Sequence, residues 1–204
     1  MGFYAQQVFP RLMDWGMRRK LFQQERAVTL APAHGDVLEI GFGTGLNLPH
    51  YPPSIARLTG VDPMQALQAR VAERCRAVSF PVEVVPMTAE TLPFDHARFD
   101  CAVSTWTLCT IPDPVAALRE VKRMLKPGGL FLFSEHGRSD NPRVATWQDR
   151  LNPIQNVVGC GCNLNRRIDR LILEAGLSLD RLDRFELPGV PRIAGTMYRG
   201  QARA

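Results

Sequence analysis

The stretch from Val37 to Gly45, which reads VLEIGFGTG, restricts the fold of this chain more than any other part of its sequence. Its first half is a short apolar run typical of a buried strand, and its second half places glycines at positions 41, 43 and 45. Glycine allows a sharp turn there and lets a ligand approach the backbone with no Cβ in the way. The pattern therefore predicts a strand that runs into a ligand-binding loop.

Further apolar runs indicate an α/β fold in which strands and helices alternate. We expect five strands at residues 36–40, 57–61, 82–85, 100–104 and 130–134, with helical stretches between most of them. Such alternation is typical of βαβ units and of a doubly wound, mostly parallel sheet. Two final strands at residues 177–186 and 193–201 would bring the sheet to seven strands, with an antiparallel edge.

The segments before and between these strands have the sequence patterns of helices. The apolar residues Phe9, Leu12, Met13, Met17 and Leu21 recur at helical spacing, which predicts an amphipathic N-terminal helix with Pro10 in its first turn.

Later helices have start and stop signals of their own. One helix should run from Met64 to about Arg76, and another should begin at an Asp113 N-cap and end at Pro127–Gly129. Asn165 is a candidate cap for a helix that ends near Gly176.

Length and composition favour one domain in a reducing compartment. We divide the 204 residues into a cap (1–34), a cofactor-binding core (35–137) and an acceptor-pocket segment with the final strands (138–204). The sequence predicts neither a signal peptide nor a membrane span, and five cysteines is an odd number for a disulfide framework. We therefore expect reduced thiols and a cytoplasmic location.

The net charge of +5 lies at the two ends of the chain, since only residues 31–137 carry more acidic than basic side chains. Basic ends of this kind suit a substrate mouth or an anionic membrane surface, or are simply solvated. Nucleic acid is not an expected partner, because no basic run is interleaved with aromatic residues.

Two carboxylates accompany the glycine loop. Asp62 ends the second predicted strand, where it can accept hydrogen bonds from both hydroxyls of a ribose. Glu39 precedes the loop and can hold the amino-acid end of a ligand, directly or through water. A dinucleotide loop would place its third glycine at position 46, which is Leu46, so a nucleoside is favoured over a nicotinamide cofactor.

Five motifs in order resemble those of the class I S-adenosylmethionine-dependent methyltransferases, of the type 11 group. They are residues 37–45, 60–63, 89–94, 99–103 and 118–129. The resemblance implies S-adenosylmethionine as cofactor. It also implies the cofactor-binding residues, which are Glu39, Gly41, Phe42, Gly43, Thr44, Gly45, Asn47, Asp62, Pro63, Met64, Thr88, Ala89, Glu90 and Thr105. Thr88 stands where many members carry Asp, so backbone amides at Thr88 and Ala89 are expected to contact the adenine.

Residues 45–53, 107–109, 134–136 and 161–164 are similar to a narrower branch, the alkyl thiol methyltransferases and their bacterial phospholipid or quinone methyltransferase relatives. This likeness implies methyl transfer to a small molecule, with a thiol as the first expectation. The alternatives are N- or C-methylation of a phospholipid or quinone head group, and a non-catalytic nucleoside-binding module. Members of the animal branch carry a hydrophobic N-terminal anchor; here an amphipathic helix could provide peripheral membrane contact instead.

His136 is the candidate catalytic residue, because it follows the fifth strand at the edge where open α/β sheets bind ligands. The alternative is a structural histidine hydrogen-bonded beside Glu135. Cys160 and Cys162 suggest a metal or metalloid site, but two ligands are too few for zinc and Cys109 would have to lie close by to add a third. The alternative is a glycine-rich loop that lines the acceptor pocket. The sequence-based expectation is therefore no metal.

Overall fold

A computed structural model describes residues 2–64 and 67–204. It contains one seven-stranded sheet in the order β3-β2-β1-β4-β5-β7-β6. The strands are β1 (Gly35–Ile40), β2 (Ile55–Val61), β3 (Val82–Val85), β4 (Phe99–Thr105), β5 (Leu125–His136), β6 (Ser178–Glu186) and β7 (Thr196–Arg203). Strands β1 to β5 pair in parallel, and β7 pairs antiparallel with both β5 and β6. The predicted doubly wound α/β fold is confirmed.

The sheet is covered on both faces because its central strands are apolar on both sides. In β4, Ala102 belongs to one hydrophobic core and its neighbours Cys101 and Val103 belong to the other. In β5, Phe131 and Leu132 divide between the two cores in the same way. Successive side chains of a strand point to opposite faces, so these runs can only be buried between two layers of helices.

Seven helices surround the sheet in the described part of the chain. They are α1 (Phe9–Gly16), α2 (Lys20–Leu30), α3 (Gln68–Arg76), α4 (Pro114–Met124), α5 (Pro142–Val158), α6 (Ile168–Glu174) and α7 (Arg192–Gly195). A π-helical turn at Tyr4–Val8 precedes α1, and a 3-10 turn lies at Leu48–His50.

The N-terminal segment differs from the single amphipathic helix that the spacing predicts. It breaks between α1 and α2, and in α1 the buried residues are Pro10 and Asp14, whereas Leu12 and Met13 are exposed. The buried carboxylate of Asp14 is held by arginine side chains from α3, and this pairing decides which face of α1 is turned inward.

Several predicted helix boundaries also need correction. Helix α3 begins at Gln68, so Met64 is not helical, while positions 65 and 66 of the predicted helix lie outside the described residues. Helix α4 begins at the predicted cap, where Asp113 Oδ1 accepts a hydrogen bond from the Ala116 amide. It ends at Met124, and Pro127–Gly129 form an irregular part of β5 instead of a turn before it.

Two predictions near the C-terminus were wrong in detail. Asn165 does not cap α6, because its amide donates to Asp149 and the N-cap position is occupied by Arg167. The last strand begins at Thr196, since residues 192–195 form the short helix α7. The long helix α5 was not predicted.

Candidate active site

A cavity of about 600 Å³ opens at the carboxyl ends of β1, β2, β4 and β5, within the size range of small-molecule sites. This is the edge at which open α/β sheets bind their ligands. The cavity wall includes twelve of the predicted cofactor residues, namely Glu39, Gly41, Phe42, Gly43, Thr44, Asp62, Pro63, Met64, Thr88, Ala89, Glu90 and Thr105. The two other predicted residues, Gly45 and Asn47, are buried behind this wall.

The glycine loop needs glycine for two different reasons. Gly41 has φ +70°, and a Cβ built on it would lie 2.1 Å from Thr107 Oγ1. Gly43 has φ +57° and no side chain nearby, so its backbone faces open space in the cavity wall. The first glycine therefore allows the loop to pack against Thr107, just after β4, and the second leaves room for a ligand.

Asp62 connects the end of β2 to this loop. Its Oδ2 accepts a hydrogen bond from the Gly43 amide at 2.8 Å, and its Oδ1 accepts one from the Met64 amide at 2.7 Å. Burial raises the pKa of Asp62, while the two amide bonds oppose the rise. Each carboxylate oxygen has a second lone pair, so both can still accept a ribose hydroxyl.

A buried polar network lies behind the loop and is centred on Glu39. The Glu39 carboxylate accepts hydrogen bonds from Asn47 Nδ2 at 2.9 Å and from the Tyr51 hydroxyl at 2.7 Å. Burial raises the pKa of Glu39 to about 7, against the opposing effect of these bonds and of Arg26. Asn47 thus orients Glu39 from behind the cavity wall.

Arg26 in α2 is a functional candidate that sequence reasoning missed. Its Nη1 donates to Asn47 Oδ1 at 2.5 Å and to Thr105 Oγ1 at 3.1 Å, and burial lowers its pKa to about 10. The guanidinium lies 4.8 Å from the centre of the Trp106 ring, and its Nε is buried without a hydrogen-bond partner. The side chain lines the cavity, so it can bind an anionic ligand group there. Arginine in an amphipathic helix is ordinarily a surface residue, so the sequence carried no signal for this role.

The N-terminal helix α1 covers the cavity through Asp14. Arg70 and Arg74 of α3 pair with the Asp14 carboxylate at 2.5 and 2.7 Å, and Thr44 Oγ1 of the glycine loop donates to it at 2.7 Å. These partners lower the pKa of Asp14 although burial alone would raise it. Asp14 therefore links the cap to the glycine loop by a hydrogen bond and to α3 by two ion pairs.

At the opposite end of the cavity, His136 lies close to Cys109 and Cys162. His136 Nε2 lies 3.2 Å from Cys162 Sγ, and the ligand atoms of Cys109, His136 and Cys162 all lie within 4.8 Å of one another. Burial lowers the pKa of His136, but Cys162 and Glu135 outweigh it and the net shift is upward. Cys109 and burial raise the pKa of the Cys162 thiol.

The structure corrects two expectations about this end. The Glu135 carboxylate accepts hydrogen bonds from Ser104 Oγ and from the amides of Thr107 and Leu108, and the partner of His136 is Cys162 instead. The cysteine that joins Cys109 is Cys162 and not Cys160, which lies on the same loop outside the cluster.

Two residues of the cavity wall have strained backbones. Trp106 and Cys160 have φ of +51° and +50°, a region that non-glycine residues rarely adopt. Both line the cavity. Strain held in a cavity wall is typical of functional sites, because the surrounding fold must maintain it.

The fold and the cavity together define a nucleoside-binding α/β enzyme of the doubly wound class. Comparison with known proteins identifies the family within this class. Residues 38–133 match a family model described as a methyltransferase domain. The human thiol S-methyltransferase TMT1B is 32% identical over 188 residues, which cover 87% of this chain and 76% of that protein.

Two other proteins are similar to the chain. A phosphatidylethanolamine N-methyltransferase from Cereibacter sphaeroides is 32% identical over 127 residues, which cover 61% of this chain and 62% of that protein. The N-methyltransferase NodS from Bradyrhizobium japonicum, solved with S-adenosyl-L-homocysteine, shares the fold with a TM-score of 0.70. That match has 17% identity and covers 98% of this chain and 97% of NodS.

The chain belongs to the class I S-adenosylmethionine-dependent methyltransferases. S-adenosylmethionine is therefore its cofactor and methyl donor. Membership in this family favours an enzyme over a non-catalytic nucleoside-binding module.

Proposed function

We propose that this enzyme transfers the methyl group to the sulfur of a small thiol. The observation that carries the proposal is the chemistry of the cavity wall at the His136 end. The described lining residues at that end include an imidazole, three cysteines and apolar side chains. The carboxylates of the cavity wall lie elsewhere, in the cap, near the glycine loop and in the 88–90 loop; they are Asp14, Glu39, Asp62 and Glu90. A wall without carboxylates suits a neutral, soft acceptor better than a cationic amine. The similarity to thiol S-methyltransferases supports the same choice.

We place the donor along the opposite wall. Asp62 accepts the ribose hydroxyls, the 88–90 loop lies against the adenine, and Glu39 receives the ammonium group of the methionine part. Arg26, which lines the cavity, binds the donor carboxylate. In this orientation the sulfonium methyl group is directed toward His136 and the cysteines.

Positioning supplies most of the catalysis in this mechanism. The acceptor sulfur attacks the methyl carbon in line while the carbon–sulfonium bond breaks, and holding the partners in register can contribute about 7–11 kcal/mol. A thiol of pKa about 8.5 is roughly 3% ionised at pH 7, so complete ionisation adds at most about 30-fold. His136, at the acceptor end, is the group that we propose for this smaller contribution.

An acceptor panel tests the proposal. Binding of S-adenosyl-L-homocysteine is first established by calorimetry, and the enzyme is then given the methyl donor with alkyl thiols, primary amines or a hydroquinone. We expect a methyl thioether as the product detected by mass spectrometry. Methylation of an amine or a hydroquinone, with all thiols unchanged, would overturn the assignment.

The second candidate is methylation of a phospholipid or quinone head group. It is supported by the Cereibacter sphaeroides relative and by a surface that we call the apolar mouth patch, formed by the exposed side chains of Phe3, Leu12, Trp15, Ile154 and Val157. The two parts of the patch are adjacent, because the Tyr4 hydroxyl donates to the Val158 carbonyl at 3.0 Å. Exposed basic residues of the cap, Arg11, Arg18, Arg19 and Lys20, lie next to the patch in sequence.

We propose accordingly a cytoplasmic enzyme that contacts the inner surface of an anionic membrane. No helix among residues 2–64 and 67–204 is long and apolar enough to cross a bilayer. Flotation with anionic vesicles at low salt should carry the protein upward, and Trp15→Glu should reduce the floated fraction. Equal flotation with neutral and anionic vesicles would count against the electrostatic part of this contact.

A further inference from the structure

The cluster of Cys109, His136 and Cys162 has a geometry that thiol methylation alone does not require. The three residues come from the loop after β4, the end of β5 and the loop after α5. Cys109 is 3% exposed and His136 is 7% exposed, yet all three residues line the cavity. Three soft ligand atoms within 4.8 Å of one another are thus buried on the protein side and open on the cavity side.

These separations suit tetrahedral zinc. Zinc–sulfur bonds of about 2.3 Å and zinc–nitrogen bonds of about 2.0–2.1 Å place neighbouring ligand atoms about 3.5–3.8 Å apart. His136 Nε2 and Cys162 Sγ are already 3.2 Å apart, so small adjustments would complete the geometry. Structural zinc sites use four protein ligands, whereas three ligands with one open position are typical of catalytic zinc, including Cys2His sets.

The cysteines are held in place by the backbone around them. Asn163 ties the Cys162 loop to the Cys109 carbonyl, which accepts from the Asn163 amide at 2.9 Å and from Asn163 Nδ2 at 3.0 Å. Asn152 and Asn156 in turn donate to Asn163 Oδ1. The two thiols are therefore brought together without a metal, and such support of ligands from behind is a general property of metal sites.

A positive charge also faces the cluster. The Arg166 guanidinium donates to the carbonyls of Leu108 and Ile111 and interacts electrostatically with Cys109 and Cys162. Burial and Cys109 keep the Cys162 thiol protonated in the free protein, so a metal would displace the thiol protons as it binds, and the nearby cation favours the thiolates that result. Two thiolates and a neutral imidazole around Zn²⁺ give a site with no net charge.

We propose that Cys109, His136 and Cys162 bind a zinc ion whose open fourth position takes the sulfur of the methyl acceptor. The acceptor part of this proposal rests on the proposed thiol methylation. A coordinated thiol loses its proton to solvent, and the zinc-bound thiolate then attacks the donor methyl. The new bond joins acceptor sulfur to carbon, the carbon–sulfonium bond breaks with its electron pair left on the donor sulfur, and the neutral thioether dissociates from the metal. His136 contributes to ionisation of the acceptor through the metal that it binds in this scheme, and it takes no proton itself.

Metal binding is tested without reference to activity. Full-length protein is loaded with zinc, dialysed and analysed by mass spectrometry of the metal, and a second sample is loaded with cobalt(II) for absorption spectroscopy. We expect one zinc per chain and thiolate-to-cobalt charge-transfer bands. Loss of an outer-shell partner alone lowers metal affinity 10–100-fold, so Cys109→Ser and Cys162→Ser should each lower zinc affinity by about 100-fold or more.

Cys160→Ser is the matched control, because Cys160 lies two residues from Cys162 on the same loop but outside the cluster. It should keep the bound zinc and the cobalt bands. Binding of S-adenosyl-L-homocysteine by every variant shows that each has folded. The metal site is overturned if the wild-type protein binds zinc no more tightly than the folded Cys109→Ser/Cys162→Ser double variant.

A second measurement separates this proposal from the proposed function. Addition of an alkyl thiol to the cobalt protein should shift the charge-transfer bands, and its methyl thioether should not. If thiols are methylated equally well by protein stripped of metal, the zinc proposal fails and thiol methylation stands. If zinc binds as expected but only amines or hydroquinones are methylated, the site stands and its acceptor assignment fails together with the proposed function.

Discussion

The two ends of the cavity are built in different ways. The donor end consists of backbone amides, carboxylates and one arginine joined by hydrogen bonds, and the short segment between β1 and β2 supplies its glycine loop. The acceptor end brings together single residues from β5, from the loop after β4 and from the loop after α5, with soft or apolar side chains. Donor binding should therefore depend on local backbone geometry, and the choice of acceptor on long-range packing. Substitutions at the donor end should leave the choice of acceptor unchanged, and substitutions at the acceptor end should leave donor affinity unchanged.

The largest effect is expected at the donor end from Gly41→Ala. The new methyl group would meet the stiff, β-branched Thr107 side chain, and φ +70° disfavours any residue other than glycine. Calorimetry should show affinity for S-adenosyl-L-homocysteine reduced more than about 100-fold, an estimate based on about 3 kcal/mol of strain transferred to the loop.

Gly128→Ala is the control for the backbone strain alone. Gly128 has φ +75°, but nothing lies within 4 Å of the added methyl group, and the residue lies at the start of β5, away from the cavity. This variant should lose about 1–2 kcal/mol of stability and keep its donor affinity. A similar loss of affinity in both variants would mean that the clash with Thr107 is not the cause.

The next effect concerns the acceptor end. His136→Ala should lower turnover by about 30-fold at pH 7 and in any case by less than about 100-fold, because only ionisation of the acceptor is lost. Donor affinity should not change. Raising the pH toward 9 should restore most of the rate as the free thiol ionises by itself, and His96→Ala, an exposed histidine, serves as control. Complete loss of turnover at every pH, with donor binding intact, would contradict a mainly positional mechanism.

Glu39 makes donor binding depend on pH. Its pKa of about 7 in the free protein means that about half of the molecules carry a proton there at neutral pH, and the donor ammonium favours the ionised form. Affinity for S-adenosyl-L-homocysteine should therefore rise about 10-fold between pH 6 and pH 8. Calorimetry over this range measures the slope, and Glu39→Gln should remove it.

The raised pKa of Glu39 also makes the stability of the donor-free protein depend on pH. Because the folded-state pKa lies above the ordinary value of 4.5, the contribution of Glu39 to stability is fully present below about pH 4.5 and is lost as the pH rises to about 7. Denaturation at pH 5 and pH 7 should show this trend in the wild type, and a steeper trend in Glu39→Gln would argue against it.

The smallest effect is expected from the link between cap and loop. Asp14→Asn removes the charge that pairs with Arg70 and Arg74, and a loss of about 1 kcal/mol in closing the cap corresponds to about fivefold weaker donor binding. Asp36→Asn, in the exposed pair with Arg57, should leave donor affinity unchanged. Equal donor affinity in Asp14→Asn and wild type would show that the cap does not take part in donor binding.

Local patterns in the sequence predicted the central strands well. The strand at Val82–Val85 has the predicted ends, and β1, β2 and β4 differ from prediction by one or two residues at either end. Strands β1, β2 and β4 are recognisable because most of their residues are buried on both faces, whereas the edge strand β3 is recognisable because Pro81 and Pro86 bound its run of valines. The N-terminal helix was predicted less well, because a stripe of apolar residues does not reveal that a buried Asp14 with two arginine partners decides its orientation.

The sequence by itself determined the glycine loop and the two carboxylates of the donor end. Three glycines in a run of five residues permit the left-handed backbone that the loop adopts, and the acids on either side follow from short spacings along the chain. Only the tertiary structure brought Arg26 to Thr105, which is 79 residues away, and Cys162 to His136, which is 26 residues away. The physical reason is that backbone geometry depends on neighbouring residues, whereas a cluster of side chains depends on how the sheet and helices pack.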